Sequence, residues 1–153
     1  MKVCVQREVP ISVNQMFDVV ANVERYPELL PDWRVARLLS PPGDVVRVGQ
    51  EIGVGPLRLA FESTARYHRP RSISVRSDRA GFGTLDLDWR FTPLADAGCR
   101  VELEATVEWL LPLPKRLTRA FGLDRLTAAL DILVAEAQRL HRAGQAGAPE
   151  GVP

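Results

Sequence analysis

The sequence predicts an α+β domain in which a curved antiparallel sheet of about seven strands surrounds one long C-terminal helix. Three observations predict it: alternating apolar and polar segments in the middle of the chain, helical spacing after the first strand, and a leucine stripe near the end. The 153 residues, of which 46% are hydrophobic and 25% charged, suffice for one domain with a buried core. We expect this domain to cover residues 1–141 and to leave 142–153, rich in Gly, Ala and Pro, as a flexible tail.

The N-terminal part predicts one strand followed by two short helices. Apolar and polar residues alternate up to Val9, which is typical of a half-buried strand. Ser12 and Gln15 have the spacing of a capping box, so a helix is expected over residues 13–21. A second, shorter helix is expected to end at Leu30, because a proline follows.

The middle of the chain predicts about six further strands. Gly, Pro and Asp turns separate segments in which apolar and polar residues alternate. Short consecutive strands of this kind form antiparallel sheets with one wet and one dry face. The predicted strand segments are 35–39, 51–55, 57–67, 73–77, 85–91 and 101–109.

The C-terminal part predicts one long amphipathic helix. Apolar residues recur there at steps of three and four, which is the spacing of a single helix face. Because this helix is the element long enough to cover the concave side of the sheet, we expect a cavity between the two. The stripe consists of Leu123, Leu126, Leu130, Leu133, Ala137 and Leu140, widened by Leu117, Phe121 and Val134.

Composition argues against several classes of function. A net charge of +1 creates no global field for nucleic acid or an acidic partner, so such a partner would need a local patch. Cys4, Cys99, His68 and His141 lack the spacing of metal ligands or of a disulfide framework, so no metal site and no cofactor are expected. Charged residues follow the first methionine too soon for a signal peptide, and no apolar run is long enough for a membrane span, so a cytoplasmic location is expected.

Several features occur in an order that resembles a known family. They are 17–20, Tyr26-Pro27 and Pro31, Phe61 and Ser63, Arg69-Pro70, Trp89-Arg90-Phe91, and the Gly98-Cys99-Arg100-Val101 strand opening. Over roughly residues 1–141 this set resembles the START-like superfamily, and within it the coenzyme-Q-binding and polyketide cyclase/dehydrase-type group. Asp32-Trp33 departs from it, since the family often has Trp-Cys there. The resemblance implies a helix-grip fold that carries a ubiquinone-type or other polyprenyl or lipid ligand.

We predict that inward-facing aromatic and aliphatic side chains bind this ligand. Aromatic rings form large, stiff apolar walls, and Tyr67, Trp89 and Trp109 add a polar tip that could orient a keto oxygen. Each buried CH₂ contributes about 0.8 kcal/mol gross, so one or two isoprene units would be held without a charged anchor. For each residue, simple core filling is the alternative. The predicted ligand-binding residues are Phe17, Tyr26, Leu30, Trp33, Phe61, Tyr67, Phe82, Leu87, Trp89, Phe91, Leu103, Trp109, Phe121 and Leu130.

Catalysis is the second hypothesis, and no catalytic residue is predicted. Polyketide cyclases need polar groups in the pocket to polarise a carbonyl or to take a proton. The carboxylates at 86, 88, 102 and 104 alternate with the apolar set and are therefore expected to face water. The inward polar candidates are few: Ser63, Tyr67, Ser77, Thr127 and Asp131.

A third hypothesis concerns surface contacts. The first turns of the predicted last helix contain Lys115, Arg116 and Arg119. Cations there oppose the helix dipole, so they do not stabilise the helix locally. They are therefore candidates to bind phosphate of a lipid headgroup or of ribosomal RNA, and the alternative is that water alone solvates them. Members of the resembling group are described as toxins that block ribosomal subunit association, which adds ribosome contact. Leu29 and Leu30, bracketed by prolines, suggest peripheral contact with a bacterial inner membrane. The oligomeric state is not predicted.

Overall fold

A computed structural model of the chain describes residues 1–110, 112, 114–116 and 122–146. The strands are β1 Lys2–Val9, β2 Trp33–Leu38, β3 Val45–Val54, β4 Leu57–His68, β5 Ser72–Ser77, β6 Gly83–Pro93 and β7 Cys99–Trp109. The helices named in the text are α1 Val13–Ala21, α2 Tyr26–Leu29 and α3 Leu123–Ala146, with a 3-10 turn over Val23–Arg25. The helix α3 extends beyond residue 141, where the sequence places the domain boundary, and residues 147–153 lie outside the described part.

The seven strands form one antiparallel sheet in the order β1-β7-β6-β5-β4-β3-β2. Consecutive strands from β2 to β7 are neighbours, while β1 crosses to the far edge and pairs with β7. The predicted fold class, a curved antiparallel sheet with a long C-terminal helix and short helices after the first strand, is confirmed.

One face of the sheet is dry because the side chains alternate along each strand. In β4 the inward positions run from Leu59 to Tyr67 and are buried at every second residue. A register shift between Trp33 and Val35 lets Arg34 and Val35 both face outward while Trp33 stays on the inner side. This bulge therefore keeps a large aromatic residue over the concave face.

The helix α1 begins at the predicted capping box. The Ser12 hydroxyl accepts a hydrogen bond from the backbone N–H of Gln15 at 3.2 Å and lies 3.3 Å from the Gln15 side-chain oxygen. The apolar side of α1 buries Phe17, whose ring meets Phe91 and Tyr67 edge-on at centroid distances of 5.4 and 6.2 Å. These contacts fix α1 against the sheet.

The first two turns of α3 and the rest of the helix are held differently. From residue 130 onward, the helix buries Leu130, Leu133 and Ala137 almost completely. In the same stretch Glu136, only 8% exposed, accepts hydrogen bonds from Arg25 at 2.7 Å and from Arg139 at 2.7 and 2.9 Å. In the first two turns, residues 125–129 are half-buried or exposed.

Candidate functional site

A cavity of about 50 Å³ lies between the concave face of the sheet and α3. Strands β2 to β7 supply one wall, and the end of α1, the 3-10 turn and α2 supply another. The first half of α3 closes it with Leu126 and Ala129. The other lining residues are Val20, Val23, Tyr26, Leu30, Trp33, Val48, Gln50, Ser63, Ala65, Tyr67, Ile73, Val75, Leu87, Trp89, Leu103 and Leu133.

A short polar chain crosses this apolar wall. The Trp33 Nε1–H donates to Gln50 Oε1 at 2.8 Å, and Gln50 Nε2 donates to Ser63 Oγ at 3.3 Å. Ser63 has no exposed surface. Its hydroxyl has no hydrogen-bond acceptor among the described residues, so its proton remains available to a molecule in the cavity.

A second apolar space of about 40 Å³ adjoins the first. The two share Trp33, Leu87, Leu126 and Ala129 as lining residues. The second space reaches the exposed Met1 and is bounded by an ion pair between Arg125 Nη1 and Asp32 Oδ1 at 2.6 Å. Asp32 is the residue at which the sequence departs from the family pattern, and it joins the start of β2 to the start of α3.

The two tyrosines of the cavity are neutral phenols. The Tyr26 hydroxyl donates to the carbonyl of Val20, and the Tyr67 hydroxyl donates to the carbonyl of Ala21 at 3.5 Å. Burial raises the pKa of Tyr26 well above its usual range and raises the pKa of Tyr67, against a smaller opposing effect of Arg69. Among the described residues that line the central cavity there is no carboxylate, lysine, arginine or histidine.

Half of the predicted ligand-binding residues meet at this cavity. They come from α2, from β2 and from four other strands or turns, so residues far apart in sequence form one wall. They are Tyr26, Leu30, Trp33, Tyr67, Leu87, Trp89 and Leu103.

The other predicted residues lie elsewhere. Phe61, Phe82 and Trp109 form a separate apolar cluster with edge-on ring contacts at 5.8 and 6.0 Å, beside the second space. Phe121 lies outside the described residues. Three more residues fill the core between the cavity, α1 and the sheet: Phe17, Phe91 and Leu130.

Gln50 is the polar cavity residue that the sequence prediction missed, beside several aliphatic ones such as Val48 and Leu126. The predicted strand began at residue 51, whereas β3 begins at Val45. The alternation that would have revealed it is the inward series Val46, Val48, Gln50 and Ile52, in which one polar residue interrupts an apolar stripe.

The surface predictions have mixed outcomes. Lys115 and Arg116 are exposed, but they precede α3, which begins at Leu123, so the prediction that they lie in its first turns is wrong. Arg119 lies outside the described residues. The hypothesis of exposed leucines at the membrane is wrong for Leu30, which is 3% exposed and lines the cavity, while Leu29 is half-buried. In the part of the chain that the structure describes, no helix combines the length and apolar character that a membrane crossing needs.

The outer face of the sheet carries a further basic group that the sequence analysis did not single out. Arg34, Arg37 and Arg58 project from β2 and β4 and form no ion pair with another described residue. Arg34 covers Gly53, where an added Cβ would lie 2.7 Å from Arg34 Nε. By contrast, Arg76 on β5 pairs with Asp88 at 2.9 Å, as expected for carboxylates on the wet face.

Comparison with known proteins gives a consistent group of relatives. The model of the family described as polyketide cyclase / dehydrase and lipid transport matches residues 9–134. The ribosome association toxin RatA of Escherichia coli (strain K12) is 30% identical over 115 residues, which cover 74% of this chain and 70% of that protein. RatA of Pseudomonas aeruginosa is 24% identical over 132 residues, covering 86% of this chain and 92% of that protein.

Two further similarities extend the comparison. The mitochondrial coenzyme Q-binding protein COQ10 homolog B of Xenopus laevis is 33% identical over 85 residues, covering 54% of this chain and 34% of that protein. Among solved structures, the Zhui aromatase/cyclase from Streptomyces sp. R1128 superimposes with a TM-score of 0.82 at 18% identity, covering 94% of this chain and 97% of that one. The latter similarity concerns the fold alone.

Proposed function

The chain belongs to the polyketide cyclase / dehydrase and lipid transport family, and we propose that it binds and carries a hydrophobic small molecule between its sheet and α3. The proposed ligand is a ubiquinone-type or other polyprenyl lipid, and the proposed role involves no covalent chemistry. The likeness to a coenzyme Q-binding protein over 85 residues supports this choice of ligand.

The observation that carries the proposal is the uncharged lining of the central cavity. An isolated ion costs several kcal/mol in such surroundings, so the described lining disfavours charged ligands and favours neutral apolar ones. The aromatic residues Trp33, Tyr67 and Trp89 offer rigid surface to a planar ring.

The size of the cavity indicates that binding requires opening. Sites for drug-sized ligands occupy roughly 300–1,000 Å³, several times the 50 Å³ enclosed here. The first two turns of α3 form the wall that opens most easily, because residues 125–129 are half-buried or exposed, whereas Leu130 and Leu133 just beyond them are fully buried. Displacement of Leu126 and Ala129 would merge the two spaces that they share.

The test is native mass spectrometry of the protein purified from its own host, followed by solvent extraction and identification of the released molecule. We expect a stoichiometric quinone or other prenyl lipid. If the purified protein contains no such molecule and takes up no short-chain ubiquinone added afterwards, the carrier role is refuted.

The proposed setting is the bacterial cytosol beside the inner membrane, from which a prenyl lipid would be taken up. Flotation with liposomes that contain ubiquinone measures this contact and the transfer of ligand together. Loss of ligand from the liposomes to the protein is the expected result, and liposomes that retain all their quinone contradict it.

Ribosome contact is a second candidate, favoured by the likeness to RatA over 74–86% of the chain. Cosedimentation with ribosomal subunits tests it. If one test variant no longer cosediments and the control variant still does, the residues changed in that test variant mark the ribosome-binding surface. If the unmodified protein does not cosediment, the ribosome-binding hypothesis is refuted. The test variants are Lys115→Gln with Arg116→Gln and Arg119→Gln, and Arg34→Gln with Arg37→Gln and Arg58→Gln; the control is Arg7→Gln with Arg76→Gln and Arg100→Gln, whose arginines are paired.

An aromatase or cyclase activity is less well supported. A general acid or base works best with a pKa near the operating pH. Burial raises the pKa of Tyr67, which moves it further from that range. If the protein turns over a polyketide, Tyr67→Phe should abolish it, and unchanged turnover of a verified substrate would exclude Tyr67 as the catalytic group.

A further inference from the structure

We infer that Ser63 and Gln50 form a headgroup subsite that accepts a neutral ligand through a carbonyl-type oxygen. This inference rests on the proposed binding of a hydrophobic molecule in the cavity and specifies the chemistry of that molecule. It assigns a polar anchor within an otherwise apolar wall.

The Ser63 hydroxyl is not explained by stability alone. Gln50 has a structural role, because it accepts the Trp33 Nε1–H. Ser63 stands between Phe61 and Ala65 in the inward series of β4, and it is fully buried. It accepts one Gln50 N–H, but its own proton has no acceptor among the described residues, and a buried donor without an acceptor destabilises the fold. A ligand oxygen that accepts this proton would remove that cost.

The donors of this pair are arranged for an acceptor. Trp33 Nε1–H donates to Gln50 Oε1, which fixes the amide so that its NH₂ group faces Ser63. One N–H of that amide reaches Ser63 Oγ, and the second has no acceptor among the described residues. The Ser63 proton likewise has no acceptor among the described residues, so two neighbouring side chains that line the cavity each keep one unused donor, where the lining offers no charge.

The position of the pair also orients the ligand. Gln50 and Ser63 line the central cavity but not the second space, which lies beyond Trp33 and Leu126 and reaches the exposed Met1. A ligand that places its oxygen at Ser63 can therefore extend an apolar tail through the second space, beside the Asp32–Arg125 ion pair. A neutral ketone or quinone with a hydrocarbon tail fits this arrangement, whereas a carboxylate or phosphate headgroup does not.

Two probes of matched shape test the subsite: the ketone acetylnaphthalene and the hydrocarbon ethylnaphthalene, titrated calorimetrically into the full chain. We expect the ketone to bind about three- to tenfold more tightly than its hydrophobicity alone predicts, the effect of one hydrogen bond. Ser63→Ala should remove this advantage and leave the affinity for the hydrocarbon unchanged. The control is Ser77→Ala, because the Ser77 hydroxyl accepts from the Leu85 N–H at 2.7 Å and does not line the cavity.

A spectroscopic measurement separates a direct contact from a structural effect. The carbonyl stretching frequency of bound acetylnaphthalene should fall on binding to the unmodified protein and should return toward its value in hydrocarbon in Ser63→Ala. If both probes bind and Ser63→Ala changes neither the ketone affinity nor the frequency, the subsite is refuted while the proposed function stands. If neither probe binds, the proposed function fails and the subsite with it.

Discussion

Filling the cavity should stabilise the protein and abolish ligand binding. Ala129 on α3 lines both apolar spaces, so a larger side chain there would project into them. We choose Ala129→Leu because leucine is nearly as good a helix former as alanine, and the substitution therefore changes packing with little change in helix propensity.

The magnitude follows from the size of the cavity. Unfilled cavity volume costs about 24 cal/mol per Å³, so about 50 Å³ corresponds to roughly 1.2 kcal/mol. Ordering a leucine side chain costs about 0.5–1 kcal/mol, while burying its three added carbons contributes up to about 2.4 kcal/mol. A net gain of about 1 kcal/mol in the free energy of unfolding is therefore expected.

Urea unfolding measures the stability, and calorimetric titration with ethylnaphthalene measures the binding. The matched control is Ala128→Leu, one residue earlier and exposed, which should change neither quantity by much. If Ala129→Leu destabilises the protein by more than about 1 kcal/mol and leaves binding intact, the space beside Ala129 is neither open to a side chain nor used by the ligand.

Three further predictions concern the surroundings of the cavity. Hydrogen bonds from Arg139 and Arg25 lower the pKa of Glu136 to about 2 from a usual 4.5, so its contribution is present above pH 4.5 and lost as the pH falls toward 2. Glu136→Gln should therefore cost about 2 kcal/mol of unfolding free energy at pH 7, the usual contribution of hydrogen bonds to a charged group, and flatten the acid side of the stability profile; equal profiles would contradict this. Asp32→Asn should cost less than about 1 kcal/mol, because the ion pair is about one-third exposed, yet speed probe association in stopped flow; an unchanged rate would exclude opening there. Gly83→Ala should cost more than about 2 kcal/mol in urea unfolding, because φ is +129° and a Cβ would lie 1.7 Å from the Glu108 carbonyl oxygen, whereas Gly81→Ala, with nothing within 4 Å, should be nearly neutral.

The strands and helices were predictable because their signals are local. Alternation along β4 and β7 and the capping box at Ser12 depend on neighbours within a few residues, and the structure has each of them. The start of β3 was missed because Gly49 interrupts its pattern. That glycine is understood only from the side chain of Leu39, which covers it.

The cavity was predictable only in part, because the sequence shows which side chains face the inner side of the sheet but not which of them fill the core and which line the cavity. Phe91 and Trp89 are two residues apart on one strand, and both are buried, yet only Trp89 lines the cavity. On α3, Leu130 packs into the core while the smaller neighbour Ala129 leaves the space open. The difference depends on where α3 crosses the sheet, and the sequence of a single segment does not determine that position.

The balance of energies explains how a nearly closed cavity can still serve a ligand. Opening the first two turns of α3 requires breaking the Asp32–Arg125 ion pair, which at its exposure is worth at most about 1 kcal/mol, and uncovering the half-buried Leu126. Each CH₂ of an entering tail returns about 0.8 kcal/mol, so a few isoprene carbons offset that cost. Meanwhile the buried Glu136 cluster and the core leucines Leu130 and Leu133 hold the rest of α3 in place. On this balance, the proposed apolar ligand would offset the cost of opening the first two turns while the rest of the helix stays packed.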